Sequence, residues 1–261
     1  MKKETLFIAF STQKGGMGKT ALTVLMASQL HYTKGYHIGI VDCDYPQHSI
    51  GEMRKRDTDL VMKDEYFKLL AYRQFSTLGI KAYPIKECTA DKAIDIAEEL
   101  MKTSDKDFDI IFFGLPGTLN SPGVIRTLAS MDYVFTPVSA DRVVLESTLQ
   151  YATMLNDNLI IPKKGNLKGL YLFWNMVDGR EKTPLYKAYE NVIAELGLNM
   201  LKTILPDSKR FRREVSDQRK SVFRSTLLPT DKTQLKGSNI KELADEICQT
   251  INLESHGNQQ E

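Results

Sequence analysis

Short runs of hydrophobic residues recur along the chain, and polar loops or helical segments separate them. Most of these runs are continuous rather than alternating, which is typical of strands that are covered on both faces of a sheet. These runs predict strands over residues 6–10, 37–41, 110–113, 133–138, 170–174 and 200–205.

Hydrophobic residues at helical spacing fill the intervals between these runs. Residues 20–30, 90–103 and 145–155 all have this character. The first strand, a glycine-rich loop, a helix and the second strand form a βαβ unit, which implies parallel strands and a right-handed crossover. Residues 51–86 favour helix only weakly. The pattern predicts an α/β fold, a doubly wound and mainly parallel sheet with helices on both faces.

Composition indicates the class of protein and its number of domains. The chain has 261 residues, of which 42% are hydrophobic and 26% charged, as in an ordinary soluble globular protein. This length predicts a single domain over residues 1–253, and the polar residues 254–261 predict a disordered tail. The net charge of +2 neither favours nor excludes a nucleic-acid partner.

Cysteine usage and the length of the hydrophobic segments predict a cytoplasmic protein. Cys43, Cys88 and Cys248 are widely separated and have no CxxC spacing, which suits neither a disulfide framework nor a metal site. The hydrophobic run near the start is too short for a signal peptide, and no run approaches the roughly 18 residues of a membrane span.

The stretch from Gly15 to Thr20 (GGMGKT) lies between a predicted strand and a predicted helix, the context that a phosphate-binding P-loop requires. Its glycines allow backbone amides to surround phosphate oxygens, and the helix N-terminus adds positive potential. In such a loop Lys19 reaches the β- and γ-phosphates and the Thr20 hydroxyl binds Mg²⁺. Gln13 departs from the strict pattern at its first position, and a glycine-rich turn without a ligand is the alternative.

With Lys14 in front, the stretch KGGMGKT resembles the deviant Walker A motif of the ParA/MinD family of ATPases. VDCDYPQHS (41–49) is similar to the family's second signature, and residues 119–148 and 204–216 resemble its interface-helix segment and its late segment. The likeness covers most of the chain and is strongest to ParA-like proteins of conjugative transposons, called TraA. The resemblance implies a P-loop NTPase fold with ATP and Mg²⁺ as cofactors.

The resemblance also implies roles for individual residues. Lys14 would reach the partner's phosphates in an ATP-dependent homodimer, whereas a solvated loop lysine is the alternative reading. Asp44 would position the attacking water and act in catalysis with Lys14 and Lys19. Asp42 would join Thr20 in the Mg²⁺ shell, and local capping is the other reading of both aspartates. The implied ATP-binding residues are Lys14, Gly15, Gly16, Met17, Gly18, Lys19, Thr20, Ala21, Asn175 and Pro206.

Two features of the implied site leave alternatives open. Gly114 stands where the family has the Walker B aspartate, and Asp109 lies too far back in its strand to replace it. Either Asp42 supports the metal alone in a weak ATPase, or the protein binds ATP and dimerises without hydrolysing it. At the adenine end, Asn175 and Pro206 are base-contact candidates, and an asparagine in a strand-end turn is an equal reading of Asn175.

Positive charge is concentrated late in the chain. The basic residues are Lys202, Lys209, Arg210, Arg212, Arg213, Arg219, Lys220 and Arg224, against the acidic Asp207, Glu214 and Asp217. Lys and Arg contacts to phosphates supply most non-specific DNA affinity, and ParA-type proteins are similar in binding DNA through late basic residues. We therefore predict DNA contact by Lys209, Arg210, Arg212 and Arg213. A solvated basic face, or arginines paired at the dimer interface, is the alternative.

The resemblance implies a DNA-associated ATP switch in maintenance or transfer of a plasmid or conjugative element, with a ParB-like or conjugation-machinery partner. A hydrolysis-deficient regulatory protein of conjugation is the alternative that Gly114 keeps open. A MinD-like membrane-cycling ATPase is disfavoured because residues 240–261 are acidic and polar rather than basic and amphipathic. An iron–sulfur protein of the same superfamily is disfavoured because the three cysteines have the wrong placement.

Overall fold

A computed structural model of the chain describes residues 4–119, 123–179, 184–216 and 220–253. Its main sheet has seven strands, which all pair in parallel. They are β1 (Leu6–Phe10), β2 (Ile38–Asp42), β3 (Ile85–Glu87), β4 (Ile110–Gly114), β5 (Tyr133–Val138), β6 (Gly169–Trp174) and β7 (Asn199–Met200). The order β3-β2-β4-β1-β5-β6-β7 is doubly wound, so the predicted fold class is confirmed.

Helices connect the strands and cover both faces of the sheet. They are α1 (Lys19–Ser28), α2 (Ser49–Lys63), α3 (Glu65–Tyr72), α4 (Ala93–Thr103), α5 (Val124–Ala129), α6 (Arg142–Leu155), α7 (Pro184–Glu195), α8 (Lys232–Leu235) and α9 (Ile240–Thr250). A short antiparallel pair, β8 (Val215–Ser216) and β9 (Ser221–Val222), precedes α8.

The structure differs from the predicted elements in two places. The predicted strand over 200–205 is reduced to β7, which has two residues. The weak helical preference of residues 51–86 is confirmed for α2 and α3, but the region also contains β3, a three-residue edge strand that the pattern did not predict. The predicted tail, residues 254–261, lies outside the described residues.

Successive side chains of the central strand, β1, point to opposite faces of the sheet and pack in two separate hydrophobic clusters. Ile8 and Phe10 join the cluster that includes α1 and α9, whereas Ala9 joins the cluster that includes α4 and α6. The ring of Phe10 contacts those of Phe112, Phe135 and Phe173 on neighbouring strands. Burial on both faces fixes the strand register, and therefore the positions of the loops that follow the strands.

Buried polar contacts hold α2 against the segment that follows β9. Asp57 accepts hydrogen bonds from the backbone amide of Thr226 at 2.6 Å and from the hydroxyls of Ser225 and Thr226. Arg54 donates to the carbonyl oxygens of Tyr83 and Thr226. These contacts fix α2, whose first turn borders the candidate site.

Among the described residues, no helix combines the length and the hydrophobicity that crossing a membrane would require.

Candidate functional site

The loop between β1 and α1, residues 11–18, is defined here as the phosphate loop. Gly16 and Gly18 have φ angles of 78° and 79°, a left-handed conformation that side chains with a Cβ rarely adopt. Gly18 is also the residue that precedes α1, and no side chain caps the first amides of the helix. Free amides at a helix N-terminus form a binding site for anions such as phosphate.

Lys19 points its ammonium group back into the phosphate loop. Its Nζ donates to the Lys14 carbonyl oxygen at 3.2 Å, and a Cβ at Gly117 would lie 3.3 Å from it. Burial lowers the pKa of Lys19, and the negative charge of Asp44 opposes that shift. A half-buried cation beside free amides favours an anionic ligand, because a phosphate would replace the hydration that the ammonium has lost.

Asp42 ends β2 and is fully buried. Its Oδ2 accepts the amides of Ile50 at 2.8 Å and Gly51 at 3.1 Å, and its Oδ1 lies 3.3 Å from the amide of Asp44. Burial raises the pKa of the Asp42 carboxyl, and these amides oppose the rise. The Asp42 carboxylate therefore contacts amides in the first turn of α2 and the amide of Asp44 at the edge of the cleft.

The structure brings four of the predicted site residues, Lys19, Thr20, Asp42 and Asp44, to one small cleft. The cleft is lined by Phe10, Lys19, Thr20, Thr23, Asp42, Asp44, Ile50, Gly114 and Leu115. Asp44 is half-buried there, and Ser49 Oγ lies 3.5 Å from its Oδ2. Lys14 is half-buried in the phosphate loop and does not line this cleft.

The donor set of the cleft fits Mg²⁺. This ion binds through one or two carboxylates and substrate phosphates and keeps several waters, so it does not need a dedicated protein cage. A hydroxyl from Thr20 and a carboxylate from Asp42 or Asp44 meet that requirement. In the parts of the chain that the structure describes, no cluster of three or more His, Cys, Asp or Glu side chains is found that could hold a metal ion by itself.

Gly114 and Asp42 face each other across the β2–β4 pair. A Cβ at Gly114 would lie 3.2 Å from Asp42 Oδ1 and 3.0 Å from Ile50 Cδ1. Asp109 lies before β4, at the opposite end of the strand, where its Oδ2 accepts the amide of His37 at 2.7 Å. The site therefore has no carboxylate at position 114, and the Asp42 carboxylate lies directly beside that position.

Asn175 contacts the phosphate loop. Its Nδ2 donates to the Met17 carbonyl oxygen at 3.0 Å, its Oδ1 accepts the Met176 amide, and the side chain is buried. Pro206 forms an isolated parallel β-bridge with Val177, which is two residues after Asn175 in the chain. The sequence predicted Asn175 near the base and gave no sign of this hydrogen bond to the phosphate loop, which we call the Asn175 brace. Base contact by Asn175 and Pro206 stays a prediction.

Asn175→Ala is expected to weaken ATP binding about fivefold, because a loop carbonyl would lose a hydrogen bond worth about 1 kcal/mol. Titration with a fluorescent ATP analogue measures this change. Asn191→Ala removes an exposed asparagine on α7 and is the matched control. An unchanged dissociation constant in Asn175→Ala would mean that the brace does not shape the phosphate loop.

The structure divides the predicted DNA-contact residues into two groups. Lys209, Arg212 and Arg213 are exposed. In contrast, Nη1 of Arg210 lies 2.7 Å from the carbonyl oxygens of both Gln234 and Lys236, so this side chain holds the end of α8.

Two further basic residues of the segment also have partners within the fold. Lys220 pairs with Asp64, and Arg224 bonds to Glu214 and to the Phe211 carbonyl oxygen. Arg219 and Asp217 lie outside the described residues. The exposed positive surface is therefore smaller than the sequence indicated.

Comparison with known proteins bears on this site. Residues 8–222 match the family model described as the CobQ/CobB/MinD/ParA nucleotide binding domain. Among curated protein sequences, no match was found.

Solved structures with the same fold have low sequence identity. The cell division ATPase MinD of Pyrococcus furiosus is 18% identical with a TM-score of 0.60, covering 95% of this chain and 100% of that one. A putative plasmid partition protein of Borrelia burgdorferi bound to AMPPNP is 15% identical with a TM-score of 0.59, covering 93% and 98%. Cobyrinic acid a,c-diamide synthase of Mycobacterium smegmatis with ADP and magnesium is 17% identical with a TM-score of 0.58, covering 96% of each chain.

Proposed function

We propose that this chain, which belongs to the CobQ/CobB/MinD/ParA family of nucleotide-binding proteins, is an ATP-dependent dimerising switch that associates with DNA and hydrolyses ATP weakly. The observation that carries the proposal is the cleft in which Lys19 and Thr20 face Asp42 and Asp44. Cation, hydroxyl and carboxylates are thereby placed where phosphoryl transfer requires positioning and charge stabilisation.

Each residue of the cleft has a specific role in this proposal. The amides of the phosphate loop and Lys19 would bind the phosphates, and Thr20 with Asp42 would hold Mg²⁺, which would neutralise charge on the phosphates. Asp44 orients the attacking water. Lys14 is not needed for any of these contacts within one subunit, which supports its assignment to the phosphates of a partner subunit.

Weak hydrolysis is proposed because the site lacks one carboxylate. Gly114 has no side chain to hold a metal-bound water, and two of the hydrogen bonds of Asp42 are already made to the first turn of α2. A phosphate-release assay with ATP and Mg²⁺ tests this point. Tight ATP binding without phosphate release would reject the weak ATPase and support the hydrolysis-deficient regulatory protein.

Lys14→Ala is expected to abolish the ATP-dependent dimer while the monomer still binds ATP, because only the contact across the subunits is removed. Light scattering coupled to gel filtration, with and without ATP and Mg²⁺, gives the oligomeric state. Lys106→Ala removes an exposed lysine far from the phosphate loop in sequence and is the control. A Lys14→Ala protein that dimerises like the wild type would refute the role across the interface.

Association with DNA is proposed through the exposed part of the basic segment, Lys209, Arg212 and Arg213. Phosphate contacts of this kind are independent of base sequence and are weakened by salt. Such binding would fit maintenance or transfer of a plasmid or conjugative element, with a ParB-like or conjugation-machinery protein as the stimulating partner.

The double variant Arg212→Ala/Arg213→Ala is expected to lose most ATP-dependent DNA binding and to lower the salt slope by about two phosphate contacts. Fluorescence anisotropy with duplex DNA of arbitrary sequence over a salt series measures both. Lys163→Ala/Lys164→Ala removes the same charge from another exposed site and is the matched control. Equal losses in both variants would show that net charge, rather than this segment, determines DNA binding.

A further inference from the structure

Two cysteines that are distant in sequence lie side by side next to the candidate site. The register of the β2–β3 pair places Asp42 opposite Glu87. Cys43 directly follows Asp42, and Cys88 directly follows Glu87. The Cys88 amide donates to the Asp42 carbonyl oxygen at 3.0 Å, and the two Sγ atoms are 3.7 Å apart. Neighbouring strands lie about 4.8 Å apart, which is within the Cα separation that a disulfide spans.

The two thiols differ in their access to solvent. Cys43 is buried at 1% exposure, whereas Cys88 is half-buried and reachable by a small reagent. Both pack in the hydrophobic cluster that contains α4. The third cysteine, Cys248, belongs to α9 and packs in the cluster on the other face of the sheet, so it serves as an internal reference.

We propose that Cys43 and Cys88 form a reversible oxidation site that reacts with low-molecular-weight disulfides such as oxidised glutathione. The Cys88 thiolate attacks one sulfur of the small disulfide, which gives a mixed disulfide and releases one small thiolate. The Cys43 thiol then attacks the Cys88 sulfur, which forms the Cys43–Cys88 bond and breaks the bond to the small thiol, and the departing small thiolate takes up the Cys43 proton. The protein loses two electrons and two protons, and the small disulfide is reduced to two thiols.

The consequence for the candidate site rests on the proposed function. Cys43 lies between Asp42 and Asp44, so a bond to Cys88 fixes the loop that carries both carboxylates to the loop that leads into α4. The phosphate loop follows β1, which is separated from β2 by β4, and is not tethered. We therefore expect oxidation to slow ATP turnover. The disulfide should oppose any movement of the loop that carries Asp42 and Asp44 toward bound ATP and Mg²⁺.

The first experiment tests the site without any nucleotide. The full chain is equilibrated with oxidised and reduced glutathione, free thiols are alkylated, and peptides are mapped by mass spectrometry. The wild type and Cys248→Ser should form the intramolecular Cys43–Cys88 bond, which dithiothreitol reverses, while Cys43→Ser should stop at a mixed disulfide on Cys88. A persistent mixed disulfide in the wild type, a bond between chains, or equal oxidation of Cys248 would overturn the proposal.

The second experiment tests the coupling to the nucleotide. Coupling between two sites is reciprocal, so at a fixed concentration of reduced glutathione ATP with Mg²⁺ should raise the concentration of oxidised glutathione needed for half-oxidation at least about fivefold. Lys19→Ala should form the disulfide but lose this shift. If the wild type forms the bond yet shows no shift while binding ATP, the coupling is refuted; if it binds no ATP, the proposed function fails and the oxidation site remains.

Discussion

Lys19→Ala is expected to weaken ATP binding by at least about 100-fold, a loss of about 2.7 kcal/mol. The Lys19 ammonium is half-buried and lies beside free amides at the start of α1. Among the residues that line the described cleft, Lys19 alone has a positively charged side chain. Hydrogen bonds between a cation and a phosphate are among the strongest in proteins, and desolvation strengthens them further. Isothermal titration calorimetry with a non-hydrolysable ATP analogue and Mg²⁺ measures the loss.

The free protein should not suffer from the same substitution. The Lys19 ammonium donates a hydrogen bond to a carbonyl oxygen at 3.2 Å, and burial penalises its charged form. The melting temperature without nucleotide should therefore stay close to that of the wild type, while the stabilisation by ATP should vanish. Lys106→Ala is the control, and retention of ATP stabilisation in Lys19→Ala would refute the assigned role of this lysine.

The lowered pKa of Lys19 also predicts how ATP affinity depends on pH. In the free protein, burial favours the neutral amine, so the charged form is lost at a lower pH than in a solvated lysine. Phosphates bind the ammonium form. Affinity should therefore be full below the lowered pKa and should fall as the pH rises through it. Titrations from neutral to alkaline pH measure this fall, which Lys19→Ala should not show.

The sequence predicted the central part of the fold because its strands are covered on both faces. Continuous hydrophobic runs such as those of β1 and β4 are typical of strands buried on both faces of a sheet. The edge strands lack this signal: β3 is short and its residues are half-buried or exposed, and β7 has two residues. Backbone pairing with a neighbour, rather than side-chain pattern, determines these two elements.

The chemistry of the site was predictable where neighbouring residues share one loop, and less so where separate segments meet. Gly15 to Thr20 and the pair Asp42 and Asp44 are local patterns. In contrast, the contact of Asn175 with Met17 and the approach of Cys43 to Cys88 join residues far apart in the chain. Such residues come together only because of the order of the strands in the sheet. A single sequence does not show which strands are neighbours, so it does not show which side chains are in contact.

The basic segment illustrates another limit. Counting charges does not distinguish a free side chain from one that is used within the fold. Arg210 and Arg213 are similar in sequence context, yet Arg210 holds two carbonyl oxygens near α8 whereas Arg213 is exposed. The partners of Arg210 are more than twenty residues away, so its engagement depends on how the chain folds back.

Gly114→Asp is expected to lower the free energy of unfolding by about 2–4 kcal/mol, and the melting temperature by about 5–12 °C. A second carboxylate would lie against Asp42, whose Oδ1 is only 3.2 Å from the position of the new Cβ. Burial already raises the pKa of Asp42, so two adjacent charges would be costly. This substitution restores the residue that the family resemblance leads one to expect, yet we expect it to destabilise the free protein. Chemical denaturation measures the change.

Matched variants separate charge from volume at this position. Gly114→Ala adds the Cβ alone and should cost about 1 kcal/mol, and Asp42→Asn/Gly114→Asp, with one carboxylate, should recover most of the loss. Because the folded-state pKa of a crowded carboxyl is raised, its cost is present above that pKa and disappears as the pH falls through it. Mg²⁺ with ATP should also stabilise Gly114→Asp more than the wild type, since a cation between two carboxylates removes their repulsion. If Gly114→Asp were instead as stable as Gly114→Ala at neutral pH, repulsion between Asp42 and a carboxylate at position 114 would be rejected as the cause of the destabilisation.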